Sequence, residues 1–180
     1  PGRTVELGSL YLQDISSATG EPDGTVNTYD REICGKTDPE FYGGFFTDFS
    51  YKNFSLNAVF NYVLGVDMIS GYYETLINSV GLSPASPDIA DRWTPENTGA
   101  KFPKVVTNSS GYNPFRPTDC EMSIQNGSFL RLSTLTVSYH LNTSAPAKAH
   151  IKRLRIYATG SNLFCLTSYK GFDPETGDNN

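Results

Sequence analysis

The sequence predicts an all-β chain built of long antiparallel strands. Two patterns carry that expectation. Phe54, Leu56, Ala58, Phe60, Tyr62 and Leu64 alternate with Ser55, Asn57, Val59, Asn61 and Val63, a two-residue period that fits a strand and not a helix. The connections also sort by length: a short turn, a long loop, a short turn, then a loop again. Antiparallel strands place successive connections at opposite ends, so the short turns gather on one side and the long loops on the other. That sorting, on strands longer than the roughly 5–6 residues usual in globular proteins, fits a membrane-spanning β-barrel. Alternation alone equally describes a soluble antiparallel sheet with one face on a core and one in water.

The elements follow in chain order. Val5 to Gln13 reads as a short strand, and Asp14 to Glu40, rich in Gly, Asp, Ser and Thr, as a long loop. From Phe41 to Tyr51 the chain alternates, with Phe45, Thr47, Phe49 and Tyr51 opposed to Phe46, Asp48 and Ser50. Lys52-Asn53 is the turn into the strand Phe54 to Leu64. Gly65 to Gly127 has little periodicity; Tyr72 to Val80 could form a short helix, and Pro84, Pro87, Pro95, Pro103, Pro114 and Pro117 break the rest. Ser128 to Leu141 is the next strand, with Leu135, Val137, Tyr139 and Leu141 on one face and Thr134, Thr136, Ser138 and His140 on the other. Arg131 has the parity of the apolar face, which places it near the strand's start, above any hydrocarbon. A turn containing Pro146 precedes a final strand from Leu154 to Phe164, where Leu154, Ile156 and Ala158 oppose Arg155, Tyr157, Thr159 and Ser161. Cys165 to Glu175 reads as a loop, and Asp173 to Asn180 as an acidic, Gly-rich tail. On the polar faces, Asp48, Asn57, Asn61 and Arg155 are expected to line a wet lumen, because a lipid-facing Arg or Lys at mid-bilayer costs about 2–4 kcal/mol.

Composition narrows the function. A formal net charge of -5 and a sequence pI of about 5.0, without a basic stripe, exclude a nucleic-acid partner. Cys34, Cys120 and Cys165 are scattered, and with only His140 and His150 to add imidazole they form no zinc pattern. No apolar run has the roughly 18 residues of a membrane helix, a test that barrel strands escape. No signal peptide is expected at Pro1-Gly2-Arg3. The histidines sit in a strand and a turn, and the carboxylates Asp88 and Asp91 sit in a loop, so no acid–base pair is positioned and the chain is not expected to be an enzyme.

Four motifs in order carry a resemblance. Phe41-Tyr42-Gly43-Gly44-Phe45 precedes Tyr51-Lys52-Asn53-Phe54; Asp91-Arg92-Trp93-Thr94-Pro95-Glu96-Asn97 follows; then Asn126-Gly127-Ser128-Phe129-Leu130-Arg131-Leu132; then Asn162-Leu163-Phe164 with Tyr169 to Glu175. Together they resemble the SusC/RagA-type TonB-dependent outer-membrane transporters over nearly the whole chain. The resemblance implies strands from the C-terminal part of a transmembrane β-barrel with long extracellular loops at Gly65–Gly127 and Ser168–Asn180. It implies nutrient import across the cell outer membrane, with oligosaccharide or peptide cargo, a SusD-like lipoprotein lid, outer-membrane lipid around the wall, and the TonB complex engaged through parts not in this sequence. Against the family's pattern, residues 1–180 are expected to be a single barrel segment without plug, TonB box, signal peptide or last strand. A soluble secreted β-sandwich that binds carbohydrate is the alternative, and a glycosidase fragment a more distant one.

Site candidates follow from both lines. Tyr72, Tyr73, Trp93 and Tyr112 could stack on sugar rings, or pack the long loop against itself or meet the lid, with packing the favoured reading. The loop Asp14 to Asp30 lies where the family often has a calcium-like site. Asp14, Asp23 and Asp30 are its candidate ligands, with a plain turn as the competing reading. No other cofactor is expected. Asn53, Asn108, Asn126 and Asn142 begin Asn-x-Ser/Thr sequons, which carry no glycosylation meaning if the bacterial resemblance holds.

Overall fold

The computed structural model describes residues 7–10, 12–77, 85–105, 121–141 and 153–177. Its ordered elements are strands β1 (Phe41–Tyr51) and β2 (Phe54–Leu64), a short strand β3 (Asp67–Ile69), a helix α1 (Gly71–Ile77), a short strand β4 (Ile124–Asn126), and two long strands, β5 (Phe129–Leu141) and β6 (Leu154–Thr167). Single 3-10 turns occupy Thr28–Asp30, Pro87–Asp91 and Glu121–Ser123. The chain divides into two compact units. One holds the described residues of 36–67 and 126–169, the other those of 1–35, 68–125 and 170–180.

The first unit is an antiparallel four-stranded sheet in the order β1-β2-β5-β6. β1 and β2 form a hairpin closed by the two residues Lys52 and Asn53. Lys52 takes a left-handed φ of 52°, the conformation that tight hairpins require. The Asn53 carbonyl accepts from the His140 amide at 2.8 Å, which ties the turn to β5. At the other end, Gly65 adopts φ +70° and donates to the Ser128 hydroxyl at 3.0 Å.

Register resolves the sheet into rows that share a face. On one face lie Tyr51–Phe54–Tyr139–Ile156, Phe49–Leu56–Val137–Ala158, Thr47–Ala58–Leu135–Gly160 and Phe45–Phe60–Leu132–Phe164. Its rings meet across strands: Phe45 stacks on Phe60 at 4.8 Å, and Phe54 meets Tyr139 at 4.7 Å. The other face carries Ser50–Ser55–Ser138–Tyr157, Asp48–Asn57–Thr136–Thr159 and Gly44–Asn61–Arg131–Cys165. The faces expected from alternation in β1, β2 and the first part of β6 are the faces observed.

Arg131 departs from its expected parity. A β-bulge leaves Ser133 without a partner on β2, so Thr134 pairs with Val59 and Leu132 with Phe60. One extra residue reverses every side chain beyond it. Arg131 therefore stands opposite Asn61 and Cys165 on the polar face, and its guanidinium lies 5.6 Å from the Phe129 ring. Nothing needs to lift it above a membrane. The same disturbance reaches β6, where Asn162 takes φ +51° and Asn162-Leu163 lie opposite Ser133. β6 then continues to Thr167, so residues 165–167, expected to begin a loop, complete the strand.

The second unit is mostly irregular. Its core is Tyr73, Ile77 and Phe102, with Met122 packed against them. α1 covers the described part of the expected helix; residues 78–80 lie outside the described residues. β3 and β4 pair with each other, and three-residue strands have too little alternation to be read from sequence. The expected strand over Val5 to Gln13 is absent from its described residues, which form a turn with Gly8 at φ +82°. The Trp93 ring occupies the space a side chain at Gly8 would need. Tyr112, Cys120, Asn108, His150 and the Asn142–Lys152 turn lie outside the described residues.

Candidate functional site

The polar face of the sheet builds a ladder of side chains. Asn57 Nδ2 donates to Asp48 Oδ1 at 2.6 Å on the neighbouring strand, and the Thr136 and Thr159 hydroxyls meet at 3.0 Å in the same row. One row away, Arg155 donates to the Ser138 hydroxyl at 2.7 Å and lies over the Tyr157 ring. Ser55 and His140 approach at 3.5 Å. Asp48, Asn57, Asn61 and Arg155 thus share one face, as expected. That face also exposes Tyr42, Phe46 and Tyr157, so it offers apolar contacts beside hydrogen-bonding groups. The opposite face has no described cover: Phe45 is 50% exposed, Phe49 62% and Ile156 58%. Exposed apolar area this continuous marks an interaction surface in a water-soluble chain and a lipid-facing wall in a membrane one.

In the other unit, the loop motifs act on their own backbone. The Asp91-Arg92-Trp93-Thr94-Pro95-Glu96-Asn97 segment closes through Asn97 Nδ2 to Asp91 Oδ1 at 3.2 Å and the Asn97 amide to Thr94 O at 3.0 Å. The Trp93 amide donates to Phe102 O at 2.8 Å. In the last motif, Asp173 accepts from the Gly177 amide through its carbonyl and from the Glu175 amide through its carboxylate, both at 2.8 Å.

Tyr73, Asp88 and Lys170 meet in this unit. The Tyr73 hydroxyl donates to Asp88 Oδ2 at 2.6 Å, and Lys170 Nζ reaches the same oxygen at 2.5 Å and the Tyr73 hydroxyl at 3.4 Å. The Lys170 ammonium holds the Asp88 carboxyl below the usual carboxylate range, helped by the Tyr73 hydroxyl. Asp88 in return raises Lys170, against a smaller opposing effect of burial. Burial first, then Asp88, raises Tyr73. Nothing local announces this cluster: Lys170 and Asp88 are 82 residues apart.

The Asp14 to Asp30 loop spends its carboxylates on amides. Asp30 accepts from Asn27 at 2.6 Å, Ile15 at 2.8 Å and Ser16 at 3.0 Å. Asp14 accepts from Gly24, and Asp23 from Thr25 at 2.9 Å. Among the described residues, no group of three or more His, Cys, Asp and Glu could hold a metal ion. Asp14 and Asp30 meet through their side chains, but Asp14, Asp23 and Asp30 do not make a three-carboxylate ligand set.

No family model matches the chain. A TonB-dependent receptor P3 of Formosa agariphila is 31% identical over 188 residues, spanning 99% of this chain and 18% of the relative. The TonB-dependent receptor SusC of Bacteroides thetaiotaomicron is 28% identical across 93% of this chain and 17% of its own length. A structure of the RagAB peptide transporter superposes with a TM-score of 0.66 at 33% identity, covering 81% of this chain and 16% of that one. The chain belongs to the SusC/RagA type of TonB-dependent receptor. It spans under a fifth of the length of these relatives.

In a SusC/RagA-type receptor the four-stranded sheet is a strip of transmembrane barrel wall, left open at β1 and β6 within these residues. The exposed apolar rows and the Asp48–Asn57–Thr136–Thr159 row lie on its opposite faces. The three described loop aromatics, Tyr72, Tyr73 and Trp93, do not form one stacking site. Tyr73 is buried in the core with its hydroxyl engaged, which corrects its expected availability to a ligand. Trp93 lies against Gly8. Tyr72 is 43% exposed and pairs with Phe172 at 4.3 Å.

Proposed function

We propose that this segment works within an outer-membrane importer that takes up peptides or oligosaccharides. The observation that carries the reading is the two-sided sheet, with apolar rows on one face and the Asp48–Asn57 ladder on the other, in a chain 33% identical to a RagAB peptide transporter. Asp48, Asn57, Asn61 and Arg155 line the wet interior and contact passing cargo. A SusD-like lipoprotein covers the outer mouth, and TonB engages parts of the longer protein outside residues 1–180. The segment itself contributes wall and loops and catalyses nothing. The names of the relatives, receptors and transporters, support this assignment.

The test uses cells carrying the full-length gene product, supplied separately with labelled oligopeptides and oligosaccharides. Uptake of one class is expected, abolished by deleting TonB or the SusD-like partner. Uptake indifferent to TonB, or a product that fractionates as a soluble secreted protein, would overturn the proposal and favour the carbohydrate-binding sandwich.

A further inference from the structure

Residues 170–177 follow β6 and return onto α1 and the 3-10 turn Pro87–Asp91. The Lys170 amide donates to Gln125 Oε1 at 2.9 Å. The Lys170 ammonium pairs with Asp88 and lies 5.1 Å from the centroid of the Tyr73 ring. Two residues on, Phe172 packs its ring at 4.3 Å on Tyr72. The segment then turns on itself through Asp173. One side chain therefore connects three stretches distant in sequence: Tyr73 lies 97 residues from Lys170, and Asp88 lies 82.

Two properties of this connection matter. Its foundation is firm, because Tyr73 is 6% exposed and belongs to the core with Ile77 and Phe102. Its charged contact is accessible, with the Lys170 side chain 48% exposed and that of Asp88 34%. An ion pair that open is weak and sensitive to salt, whereas the packing beneath it is not. Segments held by such contacts open locally while the core stays closed.

We propose that residues 170–177 form a hinged strap, pinned across α1 by Lys170, that opens as a unit without disturbing the Tyr73–Ile77–Phe102 core. Opening turns the ring of Tyr72 and the Lys170-facing side of Tyr73 toward solvent. The strap is a device of the loop unit and stands independently of the import reading.

Hydrogen exchange on the full-length gene product in detergent tests it. In Lys170→Met and in Asp88→Asn, the amides of 170–177 should exchange roughly fivefold faster, while those of α1, β2 and β5 keep their rates. The double variant should be slower than the two single effects combined would predict, because both variants remove the Lys170–Asp88 ion pair. Wild-type protein in about 1 M sodium chloride, where exposed ion pairs are weakened, should show a selective acceleration of the same segment, smaller than in the variants. Unchanged exchange of 170–177 would overturn the proposal. So would additive effects, or loss of α1 protection together with the strap, which is what a plain packing role produces. Should the Lys170→Met and Asp88→Asn proteins not fold, the salt series on wild type decides alone: no selective acceleration refutes the strap.

Discussion

Asn162 holds a φ of +51° in the middle of β6, a conformation in which L side chains other than Asn, Asp and Gly are strained. Asn162→Val should therefore cost about 1–2 kcal/mol, read from the urea midpoint of the full-length protein in detergent, while Asn162→Gly should cost less. Asp30 makes a different local argument. The amide of Asn27 first, then those of Ser16 and Ile15, hold its carboxyl below the ordinary carboxylate range. A lowered folded value means that its contribution is complete above the ordinary carboxyl pKa and is lost as pH falls through the folded value. Amide protection at residues 15, 16 and 27 should accordingly persist to mildly acid pH and vanish below it, and Asp30→Ala should remove it at neutral pH. Asp88 and Lys170 shift in opposite directions. The stabilisation through Asp88 is complete above the ordinary carboxyl pKa and is lost as pH falls through its lowered value, and that through Lys170 is complete below the ordinary lysine pKa and is lost as pH rises through its raised one. Exchange of 170–177 should thus, after correction for intrinsic rates, stay flat between about pH 5 and pH 9.

The elements show how far alternation carries. β1 and β2 begin and end where the two-residue pattern does, because successive side chains point to opposite faces over their whole length. β5 carries the same pattern but contains the Ser133 bulge, and no residue type marks where a strand gains a partnerless position. Arg131 shows the consequence: counted from Leu135 it has apolar parity, and counted through the bulge it joins Asn61. The two faces make a paired prediction. In the proposed barrel wall, Leu56→Arg sets a charge on the lipid side and should cost about 2–4 kcal/mol if its row lies near mid-bilayer. Asn57→Arg, one residue away on the inner face, should leave folding nearly unchanged. Equal effects in a urea series on lipid vesicles would contradict the assignment of faces.

At the scale of the whole molecule, the long connections separate into a compact unit with its own small core, while the strands form the wall. Motifs that identify the family are in this unit largely backbone clamps: Asp91 and Asn97 close one loop and Asp173 another. That explains how they could be recognised without revealing what they do. The wall alone leaves its apolar face bare and its β1 and β6 edges without partners in these residues, and such surfaces associate in water. Residues 1–180 expressed without detergent should aggregate, as read by light scattering, and a monodisperse, cooperatively melting monomer would contradict the barrel-wall reading.

Alternation and loop order determined the four long strands, their faces in β1, β2 and the first part of β6, and, with the motifs, the family. These properties are periodic or contiguous, and each residue's preference for lipid or water acts locally. The tertiary structure decided the rest: the side of Arg131, the burial of Tyr73, the use of Asp14, Asp23 and Asp30 on amides, and the meeting of Lys170 with Asp88. Each depends on which distant backbone lies alongside, and closure over 82 residues leaves no periodic trace in the chain.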